Sequence, residues 1–152
     1  MKYEGFDFKQ PNYTLAFKER ADGLNRLREN PDKLPAIKQY YRNNIAQFIT
    51  DWGMTFDPRN ADIGLPTTIP FILFDKQSQW VDWLIERWRN REGGLTEKSR
   101  DMGISWLEVA VGCSLWLFEP GVVIGYGSRK EEYVDKLGSP KSLFWKARFF
   151  GS

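Results

Sequence analysis

The sequence predicts an α/β protein: the first strands of an incomplete parallel sheet, preceded by a region of N-terminal helices. Three observations carry this reading. Apolar residues recur at helical spacing three times before residue 90. A stretch rich in turn-formers, 57–70, then separates a helical region, 1–69, from a second region, 70–152. From residue 95 the order of candidate elements becomes strand, loop, helix, strand, helix, which is the order of a parallel sheet with crossover helices.

The elements follow from local chemistry. Between Asn12 and Asn30, Leu15, Ala16, Leu24 and Leu27 make an apolar stripe, Gly23 weakens the helix by ~1 kcal/mol relative to Ala, and Pro31 ends it. A second helix begins near Pro35, a residue suited to a first turn. Ile37, Tyr41, Ile45, Phe48, Ile49 and Trp52 form its stripe, and Gly53 stops it. After the apolar run Phe71-Ile72-Leu73-Phe74, a third helix starts with Asp75 as its N-cap and ends near Asn90. Residues 95–99 are a short, weakly hydrophobic strand. Residues 104–118 are apolar and free of proline, as in a buried helix. Val122-Val123-Ile124-Gly125-Tyr126 is the strongest strand, β-branched and ended by glycine. A helix from Ser128 or Arg129 and another over 142–150 complete the chain. A right-handed crossover through 104–118 should place strand 95–99 beside strand 122–126.

Composition narrows the function. Apolar residues make up 41%, with 7 Trp, 6 Tyr and 11 Phe, enough for a packed core. A net charge of +2 does not by itself argue for nucleic acid. One cysteine and no histidine exclude an internal disulfide, a Cys/His zinc site and a His-activated nucleophile. Cys113 lies in an apolar run and reads as a small buried hydrophobe. The opening Met1-Lys2-Tyr3-Glu4 is unlike a signal peptide, and the apolar run 109–118 is about half a membrane span. The expectation is a soluble protein of a reducing compartment.

The stretch from Glu97 to Ser105 carries the chemistry. It lies between a candidate strand and a candidate helix, where an ATPase keeps its phosphate loop. Backbone N–H groups must wrap the phosphates there, a cation must touch them, and a hydroxyl must hold Mg²⁺ at the helix start. Gly103 permits the tight turn, Ser105 stands in place for the metal, and Lys98 or Arg100 supplies the charge. The common pattern G-x-x-x-x-G-K-[ST] is absent: Ile104 occupies the lysine position and the first glycine is missing. On pattern alone, a charged turn in some other α/β protein explains the stretch as well.

Lys98-Ser99-Arg100-Asp101-Met102-Gly103-Ile104-Ser105 resembles the deviant phosphate loop of the large terminase subunits of tailed phages, in which the lysine moves to the beginning. Residues 122–132 resemble that family's second strand and following turn. Ser142-Leu143-Phe144-Trp145-Lys146 is also similar to phage terminases, and 70–77 resembles their adenine-recognition segment, an apolar lead-in followed by Gln77. The resemblance covers roughly 40–150. It implies a P-loop NTPase-like sheet and a motor that hydrolyses ATP to move DNA into a procapsid. Lys98, Ser99, Gly103, Ser105 and Gln77 would bind nucleotide, Ser105 would coordinate Mg²⁺, and Arg100 would be the catalytic arginine at the γ-phosphate. Gln77 would read the adenine edge, although a glutamine in a first helical turn also suits a surface. Phe71 and Phe74 would cover the base or pack in the core. Arg129 and Lys130 would touch nucleotide or DNA, or simply begin a solvated helix.

The resemblance further implies double-stranded DNA, a small terminase subunit and a portal protein as partners, association into an oligomer, no membrane, and action in the host cytoplasm. The acidic pair that ends a later strand in these ATPases has no counterpart after residue 126, so the second region is expected to be the first part of the ATPase domain, stopping before that strand. The 152-residue chain alone is therefore expected to be a poor ATPase. Missing strands would leave Leu107, Val111 and Leu115 uncovered. The competing readings are a non-catalytic α/β module that binds DNA or a protein through Arg87, Arg89 and Arg91, and another phosphate-loop enzyme such as a helicase-like ATPase.

Overall fold

Helix ends fall where the sequence supplies caps and breakers. In the computed structural model, which describes residues 6–99 and 102–151, α1 spans Tyr13–Glu29. The Asn12 side chain accepts the Leu15 N–H at its start. The stripe expected to continue to Trp52 is two helices, α2 (Leu34–Asn43) and α3 (Ile45–Trp52). Asn44 separates them: its backbone leaves the helical region (φ −133°, ψ 64°) and its side-chain amide donates to the Tyr40 carbonyl at 2.7 Å. An asparagine that bonds the backbone behind it competes with helix continuation, and this is the physical cause of the break. α4 covers Asp75–Asn90 with Phe74, not Asp75, as its N-cap. α5 covers Ile104–Phe118, α6 is a single turn at Glu131–Val134, and α7 covers Leu143–Phe150. The Ser142 hydroxyl caps α7 by accepting from Trp145 N at 3.3 Å.

The chain is mixed α/β and mostly helical, and the described residues show no parallel sheet. Among the described residues the ladder is a two-stranded antiparallel one. β1 (Met54–Phe56) pairs with β2 (Thr68–Pro70), Thr55 opposite Ile69. The turn-rich segment therefore contains a hairpin bridged by a 3₁₀ turn over Pro58–Ile63. Asp57 accepts from Arg59 N at its start and left-handed Gly64 closes it. Residues 95–99 have no regular secondary structure and are exposed, and no ladder joins them to 122–126. The first segment is too polar to bury a face. The second keeps the alternation of a strand, with Val122, Ile124 and Tyr126 half-buried against α5, while Val123 is 93% exposed. A strand needs neighbours as well as a packed face, and this one has only the face.

The core gathers where α3, α4 and α5 meet. Ile45 and Ile49 pack with Phe71, Leu73, Val81, Ile85, Leu107, Val111 and Leu115. Leu107, Val111 and Leu115 are thus buried by neighbouring helices and are not the uncovered face that the sequence suggested. The exposed apolar residues of α5 are Trp116 and Leu117, at its far end. α7 closes the opposite side of α5 through an aromatic cluster in which Trp145 stacks on Phe149, with Trp106 and Phe56 edge-on to both.

The buried face of α1 also differs from its apolar stripe. Ala16, Arg20 and Gly23 face inward, whereas Leu15 and Leu24 are about half exposed. Arg20 is buried because its guanidinium donates to the carbonyls of Thr50 and Gly53, each at 2.8 Å, at the C-terminus of α3. The same Gly53 carbonyl accepts from Phe71 N, so helix α1, the end of α3 and the lead-in to α4 meet at one oxygen. Elsewhere Arg42 of α2 forms a two-pronged ion pair with Glu119, the C-cap of α5, at 3.0 and 2.6 Å.

These contacts predict two stability effects. Arg20→Ala should lower unfolding stability by about 2–4 kcal/mol, because the carbonyls of Thr50 and Gly53 lose the guanidinium, leaving Gly53 only the Phe71 amide. Arg20→Lys should recover part of the loss, since an ammonium cannot span both acceptors as the planar fork does. Urea denaturation reads this, and a change within error for Arg20→Ala would contradict it. The second effect depends on pH. The Arg42 guanidinium holds the Glu119 carboxyl below the usual range. Its stabilising contribution is therefore present above the unfolded glutamate value and is lost as pH falls through the lowered one. Glu119→Gln should be less stable than the parent at pH 7, and the gap should close on acidification.

Candidate nucleotide-binding site

The start of α5 is built around one glycine. Gly103 has φ 76° and ψ 8°, the left-handed region that side chains disfavour, and its carbonyl accepts from both Trp106 N and Leu107 N. The N–H groups of Ile104 and Ser105 have no acceptor among the described residues. The first-turn amides and the positive end of the helix dipole together favour an anion. Ser105 is exposed on this first turn. Arg100 and Asp101 lie outside the described residues, so the catalytic arginine expected from the sequence has no structural description here.

The structure brings Gln77 to this loop in a different role from base reading. It is 8% exposed, in the first turn of α4. Its side-chain carbonyl accepts from Phe74 N at 3.4 Å and its amide nitrogen donates to the Met102 carbonyl at 3.3 Å. A Cβ on Gly103 would stand 3.0 Å from that nitrogen. Gln77 thus ties α4 to the residue before the turn, with both ends of its amide engaged. Phe71 is core, and Phe74 meets the ring of Phe8 edge-on.

The segment leading into the loop is held by tryptophans. The Trp80 indole donates to the Thr96 hydroxyl at 3.0 Å, and Gly94 lies so close to the Trp83 ring that any side chain there would collide with it. Lys98 and Ser99 follow, both exposed. Lys98 is near enough to Glu108 of α5 for its charge to favour the carboxylate. Glu108 is three residues beyond Ser105, on the same helical face. Although the residue is exposed as a whole, its carboxyl is partly desolvated, and desolvation raises its pKa more than Lys98 lowers it. Tyr126 joins this face from the 122–126 segment. Its hydroxyl donates to the Val109 carbonyl at 3.3 Å, over Gly112, where a Cβ would strike the phenol. Burial, with Cys113 and Glu108 adding to it, pushes the Tyr126 pKa up.

The described part of the site is therefore a helix N-terminus whose first amides lack an acceptor among the described residues, with a serine hydroxyl and a carboxyl on one face and a lysine whose charge reaches that carboxyl. Ser105 and Glu108 share that face, Lys98 is close enough to Glu108 for its charge to be felt there, and Gln77 donates to the Met102 carbonyl just before Gly103. Sequence reading missed Glu108, although its spacing of three from Ser105 on a clear helix places the two together. Among the described residues no three histidine, cysteine or acidic side chains converge to hold a metal ion. Arg129 lies over the Tyr133 ring at 5.5 Å and Lys130 is 3.8 Å from Glu132, both on the surface beyond the extended segment.

Glu108 gives the site a testable signature. A carboxyl whose pKa is raised on folding stabilises the fold below its unfolded pKa, and that contribution is lost as pH rises through the raised value. Glu108→Gln should raise the melting midpoint at pH 7 to 8, and the gain should shrink toward pH 4. A variant less stable than the parent at pH 8 would mean that attraction to Lys98 outweighs desolvation. Compared with known proteins, the chain matches no family model, no curated sequence and no solved structure.

Proposed function

We propose that this chain is the N-terminal part of a DNA-packaging ATPase, the large subunit of a viral terminase, and that it binds ATP with Mg²⁺ at the start of α5. The observation that carries the reading is the loop from Lys98 to Ser105. It leads, through left-handed Gly103, into a helix whose first amides have no acceptor among the described residues, with Lys98 and Ser105 at the same end. In this reading Lys98 neutralises the β- and γ-phosphates, Ser99 and Gly103 shape the loop, Ser105 holds Mg²⁺ and Arg100 stabilises charge at the γ-phosphate. The 122–126 segment supports it as well: it alternates like a strand against α5, and the amides of 123–127 bond to no other described segment, as a strand awaiting partners in a parallel sheet would. Double-stranded DNA, a small terminase subunit, a portal protein, an oligomeric assembly and the host cytoplasm belong to the same proposal.

One observation favours the second reading, a non-catalytic module that binds DNA or a protein. The amide of Gln77 is engaged at both ends inside the chain, so adenine would have to displace the Met102 bond to be read by it.

The two readings separate on nucleotide binding. The packaging reading expects Mg²⁺-dependent binding of a fluorescent ATP analogue, with slow or no turnover by these 152 residues. It expects Lys98→Ala and Ser105→Ala each to weaken binding at least about tenfold, the loss of one charge-assisted contact. Ile104→Ala should be mild, and Ile104→Lys should partly rescue Lys98→Ala by restoring a cation at the usual position. Unchanged affinity in Lys98→Ala, or no binding by the parent, would remove the packaging reading.

A further inference from the structure

A second concave site lies between α1 and α2. It is a cleft of about 570 Å³, within the size range of small-molecule sites, and no residue of the 93–105 segment lines it. Gly23, buried in the middle of α1, is among its lining residues. Ile37, Tyr41 and Trp52 supply apolar lining. Two of those rings are fixed in place. Trp52 Nε1 donates to the Tyr41 hydroxyl at 2.9 Å, and that hydroxyl donates to the buried Asp51 carboxylate at 2.8 Å. At the mouth stand Arg26 and Lys33, both exposed, and neither forms an ion pair with a described residue. No acidic side chain among the described residues lines the cleft.

Hydrogen-bonded aromatic rings beside two cations, with no carboxylate among the described lining residues to oppose an anion, select a particular chemistry. A planar ligand ring stacks on the aromatic rings and a phosphate attached to it meets the cations. We propose that this cleft binds a nucleoside monophosphate, with the base against Tyr41 and Trp52 and the phosphate held by Arg26 and Lys33. Both cations act on the phosphate at the rim, so the phosphate supplies charge and the base supplies fit. This site stands apart from the α5 loop and does not depend on what that loop binds.

Calorimetric titration of the chain with AMP tests the proposal, with adenosine and inorganic phosphate as the two halves of the ligand. Binding of AMP at one site is expected, with each half alone at least tenfold weaker. The double variant Arg26→Gln/Lys33→Gln should lose at least tenfold in AMP affinity and keep the parent's circular dichroism, because both side chains are on the surface. Lys98→Ala should bind AMP as the parent does. In a nitrogen–proton spectrum the Trp52 indole resonance, assigned with Trp52→Phe, should shift on adding AMP. The proposal is overturned if AMP does not bind at millimolar concentration, if adenosine binds as tightly as AMP, if the double variant binds unchanged, or if only Lys98→Ala abolishes binding.

Discussion

The guanidinium of Arg20 is the constraint on which the arrangement of this protein depends. A helix that ends inside a protein leaves carbonyls that must find donors. α3 ends that way at Thr50 and Gly53, and its donor comes from a charge on α1, more than one helix earlier in the chain. Burying that charge is unfavourable without acceptors, and leaving the carbonyls bare is unfavourable without the charge. Each solves the other's problem, and the negative end of the α3 dipole adds to the attraction. α1 consequently packs through Ala16, Arg20 and Gly23, and its leucines remain half exposed. Because the Gly53 carbonyl also accepts from Phe71 N, the same junction sets where the chain enters the core on its way to α4.

Helix α5 organises the other half. It is apolar on nearly every side, so it must be surrounded. α3 and α4 cover one side, α7 covers another with its aromatic cluster, and the 122–126 segment lies along a third. Gly112 allows the closest of these approaches by letting the Tyr126 phenol reach the helix backbone. Its start, with Ser105 and Glu108, and its far end, with Trp116 and Leu117, remain open.

Helix positions were legible in the sequence because periodicity, caps and breakers all act locally. Pro31, Gly53 and Ser142 mark ends that the structure keeps, and 75–90 and 104–118 are helices along the lengths their apolar spacing implied. Pairing was not legible. Strand propensity in 122–126 is real, yet a ladder depends on a distant partner that no local pattern specifies, and residues 54–56 and 68–70 pair without a strong alternation of their own. The break at Asn44 turns on one side-chain hydrogen bond, and the burial of Arg20 turns on a contact thirty residues away. In the candidate site, residue types announced the loop and its glycine. The meeting of Gln77 with Met102, and of Glu108 with Lys98, required the fold.

The 122–126 segment is ordered by its side chains and open along its backbone. Val122, Ile124 and Tyr126 anchor it to α5, whereas the amides of 123–127 bond to no other described segment. Order of this kind separates two properties that normally travel together in a strand. The side chains resist displacement, but the amides exchange their hydrogens with water without any opening of the fold. In a map of exchange rates the segment would look unfolded while its tyrosine remained as fixed as the core around it.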